Sequence, residues 1–201
     1  MIPCPVKNPG KPESKNPFSA SMQQIEKYDI PLVGFCAYSG TGKTTLLKNL
    51  IPLLQNCGLR VAVIKHSHHD FEIDYPGKDS FELRKAGAEQ ILIASQYRIA
   101  HITELGNLDD APPLVELLHR LDRSALDFVL VEGYRHEKFP KIELHRPSLN
   151  KPLIFPADPS VIAIAADEPL DRPTEGLPLL DLNKPEMIAD FIVANVIAVV
   201  S

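Results

Sequence analysis

The chain has no tryptophan, and its cysteines are confined to Cys4, Cys36 and Cys57. Three scattered cysteines make neither a disulfide framework nor a zinc ligand set. Cys36 sits in an apolar run and Cys57 near an expected helix end, so both read as buried thiols, which suits a reducing cytoplasm. No apolar tract approaches the ~20 residues a spanning helix needs; residues 187–200 are interrupted by Asp190 and Asn195. The N-terminus lacks the apolar core of a secretion signal. Positive charge is also short: formal net charge is -5. A general nucleic-acid binder needs a basic surface to displace counterions, so that class is disfavoured. Binding of a single nucleotide needs only a few local donors and stays open.

What is present divides in two. Residues 1–29 hold Pro3, Pro5, Pro9, Pro12 and Pro17 among Lys, Asn, Ser and Gly. Such a composition buries too little apolar surface to offset its ordering entropy, so it reads as a removable disordered leader. Residues 30–201 alternate between strand and helix patterns. Apolar runs at 32–37, 60–64, 91–94, 99–103, 128–131, 161–166 and 179–182 read as strands. Residues 142–145 read as an edge strand; Lys141 and His145 there could contact substrate or a dimer partner, or be edge charge that prevents aggregation. Helical spacing marks 43–57, with Leu46, Leu47, Leu50, Ile51 and Leu54 on one face and Gly58 as the stop. Pro52 inside that helix predicts a kink. Further helices are expected at 80–86, 113–121 and 185–200. The alternation predicts an α/β fold, a three-layer P-loop NTPase-like domain with a mostly parallel sheet and helices on both faces. Ligands of such sheets sit beyond the carboxyl ends of the strands.

The segment Ala37-Tyr-Ser39-Gly40-Thr41-Gly42-Lys43-Thr44-Thr45 falls at one of those ends, between a strand and a helix. It matches a phosphate-binding loop except that Ala37 replaces the first glycine. Gly40 and Gly42 let the backbone curl until several N–H groups face phosphate oxygens, and the helix start adds its positive end. Lys43 reaches the outer phosphates, and the Thr44 hydroxyl is a magnesium ligand. Some P-loop proteins use an extra lysine near the loop's start across a dimer; Tyr38 stands there instead. A second acid near the magnesium is required at another strand end, and Glu132 is the natural candidate for it. A solvent-exposed strand-end glutamate is the plain alternative.

Lys65-His66-Ser67-His68-His69-Asp70 and Asp74-Tyr-Pro-Gly-Lys78-Asp79-Ser80 concentrate ionisable groups after the next strand. Three readings fit: a transition-metal site, a switch-like segment ordering around phosphate and magnesium, or a solvated loop. On the second, Asp79 or Asp70 helps hold magnesium and Lys65 or Lys78 faces an anion. For base recognition there are two candidates. Asn183-Lys-Pro-Glu186 comes close to a guanine-reading string, but also reads as a helix cap with Asn183 at its start. Asp167, after the strand at 161–166, is a carboxylate that could accept from guanine, or a turn aspartate before Pro169. Arg84, Gln96, Arg98 and Arg135 read as surface residues rather than as groups that stabilise a transition state.

Taken together, residues 39–45, 64–70, 74–80, 84–88 and 131–134 resemble the molybdopterin-guanine dinucleotide biosynthesis protein B (MobB) family, over roughly residues 31–197. The resemblance implies GTP and Mg2+ as cofactors, weak GTPase activity and a homodimer. It implies an accessory role in attaching a guanine nucleotide to molybdopterin, the chemistry being done by a partner guanylyltransferase of the MobA type. Competing functions are an NTP-gated metallochaperone using His66, His68 and His69, and a small-molecule P-loop kinase, although no lid segment is evident.

Overall fold

The structure is a computed structural model and describes residues 25, 28–67, 70–106 and 111–198. Six strands form one sheet: β1 (Leu32–Cys36), β2 (Val61–Lys65), β5 (Phe128–Glu132), β6 (Lys141–His145), β7 (Val161–Ala166) and β8 (Leu179–Asp181). Their order is β2-β5-β1-β6-β7-β8, and every neighbouring pair is parallel. β3 (Gln90–Ala94) and β4 (Ile99–Thr103) form a separate antiparallel hairpin.

Helix α1 (Lys43–Asn56) follows β1 and buries Leu46, Leu47, Leu50 and Leu54, the stripe its spacing predicts. It runs unbroken through Pro52. Its end is set by Gly58 at φ 84, where Leu59 N–H bonds the Leu54 carbonyl and Gly58 N–H the Gln55 carbonyl. Those two bonds are the pair that a left-handed glycine makes possible. α2 (Asp79–Lys85) and α3 (Leu114–His119) are short. α4 (Pro185–Ile192) continues as a π-helical turn, Val193–Ile197.

The sheet is covered on both sides, as expected for three layers. Alternation along the strands sends Val33, Phe35, Leu130, Ile142, Leu144 and Ala163 to one face, against α1 and α4. Leu32, Val129, Val131 and Ile64 face the other way, against α3, Phe139, Ile25 and Tyr28. The Tyr28 hydroxyl donates to the Leu118 carbonyl at 3.2 Å. The packed chain therefore reaches back to Ile25, inside the segment expected to be a leader.

Four other expectations are corrected. The first concerns β6, which is not an edge. It lies between β1 and β7 with all five residues buried. Its charges are paired by the loops over it: Lys141 Nζ donates to Asp158 Oδ2 at 3.0 Å and to the Glu137 carbonyl, and Glu143 accepts the Ile154 and Phe155 N–H groups at 2.7 and 2.8 Å. A charged strand can be central when every charge is satisfied. The second is Cys57, which is exposed; Cys36 is buried as expected, and burial raises its thiol pKa to about 12. The third is the cap before α4, where Lys184 precedes Pro185 and no side chain caps the helix. Asn183 instead donates its N–H to Asp181 Oδ1 at 2.9 Å. The fourth is Arg84, whose side chain is only 9% exposed. It binds Glu72, Asp74 and Glu104, fastening the loop after β2 to the end of β4.

Candidate functional site

β1 is central, and the chain leaves it in opposite directions: β5 lies on one side and β6 on the other. That switch opens a crevice at the carboxyl end of β1. The loop there, residues 37–42, has Gly40 at φ 82 and Gly42 at φ 101, both in the left-handed region that side chains resist. Gly42 occupies the cap position of α1 with no side-chain hydrogen bond, and the first turn of α1 carries no acid. The leading N–H groups of a helix lack intrahelical partners and bear its positive end, so this turn is built to accept an anion.

The rest of the loop is held from behind. Thr41 is 2% exposed, and its hydroxyl donates to the Tyr38 carbonyl at 2.8 Å. Lys43 Nζ folds over the loop, donating to the Ala37 and Tyr38 carbonyls at 3.2 and 3.3 Å. Burial lowers the pKa of that ammonium, while the Glu132 carboxylate acts in the opposite sense. Ser39, Gly40, Thr44 and Thr45 are exposed, leaving the mouth of the cradle and the Thr44 hydroxyl open to a ligand.

Glu132 ends β5 and Lys65 ends β2, at matched register. Lys65 Nζ meets Glu132 Oε2 at 2.9 Å. Lys43, Lys65 and Glu132 thus gather at the ends of three adjacent strands. Gly133 at φ 98 lets His66 approach: a Cβ there would lie 2.6 Å from His66 Cβ. The His66 ring also packs against Tyr134, ring centres 5.0 Å apart. Asp79 is exposed in the first turn of α2, and among the described residues no hydrogen bond or ion pair joins it to the loop. His68 and His69 lie outside the described residues. Among those described, no group of three or more His, Cys, Asp or Glu is placed to hold a metal ion.

Asp167 follows β7 and is drawn to the cradle through a residue that motif reading passes over. Arg146 follows β6; its Nε donates to the Thr41 carbonyl at 2.8 Å and its Nη1 to Asp167 Oδ2 at 2.5 Å. Asp167 Oδ1 is enclosed without a partner among the described residues. The sequence signal for Arg146 was its position directly after a strand, but its neighbours became evident only with the strand order.

A phosphate loop on the central strand of a parallel sheet, completed by a strand-end carboxylate, defines a P-loop nucleotide-binding protein. Comparison then narrows the class. Residues 32–167 match the family model described as molybdopterin guanine dinucleotide synthesis protein B, and the chain belongs to that family. A molybdopterin-guanine dinucleotide biosynthesis adapter protein of Escherichia coli (strain K12) is 50% identical over 165 residues, 82% of this chain and 92% of that one. One of the same description from Haemophilus influenzae is 45% identical over 163 residues, 81% and 88% of the two chains. A crystal structure of molybdopterin-guanine biosynthesis protein B has TM-score 0.60 at 25% identity, covering 81% of this chain and 98% of that chain. The Bacillus subtilis MobB crystal structure, at 23% identity and TM-score 0.61, shares the fold over 83% of this chain and 98% of its own. These matches favour the nucleotide-binding accessory over the metallochaperone and the kinase. No helix among the described residues is long and apolar enough to cross a membrane.

Proposed function

We propose that this chain binds GTP with Mg2+ and serves as an accessory in attaching a guanine nucleotide to molybdopterin. The observation that carries the reading is the cradle at residues 37–45: two left-handed glycines, an acid-free helix start and Lys43 across the opening. A polyphosphate fits these donors, and when bound with Mg2+ it supplies the charge that Lys43, Thr44 and Glu132 are placed to neutralise or orient. Lys43 would exchange its two carbonyl partners for phosphate oxygens, a stronger charge-assisted bond. Thr44, with Glu132 at the facing strand end, would hold the metal directly or through water; Asp79 would join only if the loop after β2 closes toward them. Ser39, Gly40, Gly42 and Thr45 would supply backbone donors, Thr41 would brace the loop through its bonds to the Tyr38 carbonyl, and Asp167 would belong to the same site through Arg146.

Slow hydrolysis at most is expected, as the family resemblance implies. A transferase partner of the MobA type would perform the guanylyl transfer and supply the molybdopterin. Two features favour a second copy of this chain as a further partner. β2 is a free edge of the sheet, with Val63 43% exposed, and the β3–β4 hairpin exposes Leu92, Ile93 and Ile99. Each is a liability alone, and two copies can cover both by one symmetric exchange. Titration calorimetry with GTP and ATP, with and without Mg2+, tests the nucleotide; sedimentation tests the dimer, and a monomer at micromolar concentration would remove it.

A further inference from the structure

Arg146 meets the cradle at two consecutive residues, Thr41 and Gly42. Its position follows from topology. β6 runs between β1 and β7, and its register sets His145 opposite Ala166, so the next residue, Arg146, faces Asp167. On its other side is the loop that leaves β1. A guanidinium is a rigid planar fork, so fixing two of its nitrogens fixes the third. Nε is fixed by the Thr41 carbonyl and Nη1 by Asp167. Nη2 then lies against Gly42, 3.5 Å from where a Cβ on that glycine would stand.

The bond to Thr41 has a directional consequence. A trans peptide is planar, so the carbonyl of one residue and the N–H of the next point opposite ways. Holding the Thr41 carbonyl on Arg146 therefore aims the Gly42 N–H away from Arg146, into the loop's concave side. The Thr41 hydroxyl and its N–H are both bonded to the Tyr38 carbonyl, which anchors the residue, so that Arg146 alone sets the direction of its carbonyl. Asp167 supplies the counter-hold: one oxygen takes Arg146 and the other is enclosed.

We propose that Arg146 is a positioning residue that sets the Gly42 peptide for phosphate, and that Asp167 acts on the nucleotide through Arg146 rather than by touching the base. This rests on the nucleotide reading of the cradle. On it, the two side chains form one unit, and their loss weakens every triphosphate alike.

The test is a double-mutant cycle on the full chain, titrating Mg–GTP and Mg–ATP into wild type, Arg146→Gln, Asp167→Asn and the double variant. Each single change should weaken GTP about tenfold, ATP by the same factor, and the double variant should be no worse than either single one. Arg146→Lys should recover part of the loss, since an ammonium can make one of the two bonds. A second arm needs no nucleotide: amide exchange across residues 38–44 should speed up in both single variants while α4 is unchanged. Additive losses, a loss confined to GTP in Asp167→Asn, or unaltered exchange across 38–44 would each overturn the proposal. If wild type binds neither nucleotide, the GTP reading fails by itself, and the exchange arm still decides whether Arg146 braces the loop.

Discussion

Lys65 Nζ lies 2.9 Å from Glu132 Oε2, joining the carboxyl ends of β2 and β5 beside the phosphate cradle. The Glu132 side chain is 12% exposed and that of Lys65 57% exposed, so the acid is enclosed and the lysine is the partner open to solvent. On the proposed reading, a metal arriving with a nucleotide would meet an acid already oriented, and the lysine would be free to turn to a phosphate. Glu132→Gln should therefore lower the Mg2+-dependent gain in GTP affinity by about tenfold, in the range seen when a metal's supporting ligand is lost. Mg2+-free affinity should rise, because a negative charge beside the phosphates is gone. Titrations with and without EDTA check both; an intact Mg2+ dependence would remove Glu132 from the site.

Gly34 lies in β1 directly under the Phe139 ring. A Cβ at this position would stand 2.4 Å from a ring carbon. Gly34→Ala should cost about 1–3 kcal/mol, the usual penalty for overpacking a filled core. Urea unfolding followed by circular dichroism measures it, and a cost near zero would mean that the ring moves freely.

Asp127 closes a two-pronged pair with Arg60, whose Nε, Nη2 and backbone N–H all donate to it at 2.8–2.9 Å. Those bonds hold its carboxyl at about 2, below the ~3.9 of an unfolded aspartate. The folded pKa is depressed, so the stabilisation is complete above the unfolded value and is lost as pH falls through the folded one. The Tm gap between wild type and Asp127→Asn should be constant from pH 5 to 7 and shrink as pH falls from ~4 to ~2. A gap that does not change with pH would contradict this.

The position of Tyr28 makes the N-terminal boundary testable. Ile25 and Tyr28 are buried against α3, and burying a large apolar side chain is worth about 1.5–3 kcal/mol. A chain starting at residue 30 should melt below one starting at residue 24. Equal melting temperatures would restore the whole of 1–29 as dispensable.

What could be read from residues alone was whatever is local. The strand–loop–helix around Gly40 and Gly42, the buried stripe of α1 and the acid ending β5 are each written in a dozen consecutive residues. β6 was misread because Lys141 and His145 carry the polarity of an edge, whereas the Lys141 partners Glu137 and Asp158 come from loops whose placement is a tertiary fact. Arg84 looked like a surface arginine for the same reason; Glu72, Asp74 and Glu104 are distant or uninformative in sequence. The Asn183 cap failed because the helix begins one residue later than that reading needs, with Lys184 at the cap position, and the Asn183 N–H is turned back to Asp181. Arg146 escaped notice since nothing in a sequence states that β6 lies between β1 and β7.

The most direct measurement is Mg2+–GTP titration of the wild-type chain beside Lys43→Ala. Saturable binding in wild type, tighter for GTP than for ATP and at least tenfold weaker in the variant, is the expected result, since a charge-assisted phosphate contact is lost. No retention of either triphosphate at millimolar concentration, or equal binding by Lys43→Ala, would contradict a phosphate cradle at residues 37–45.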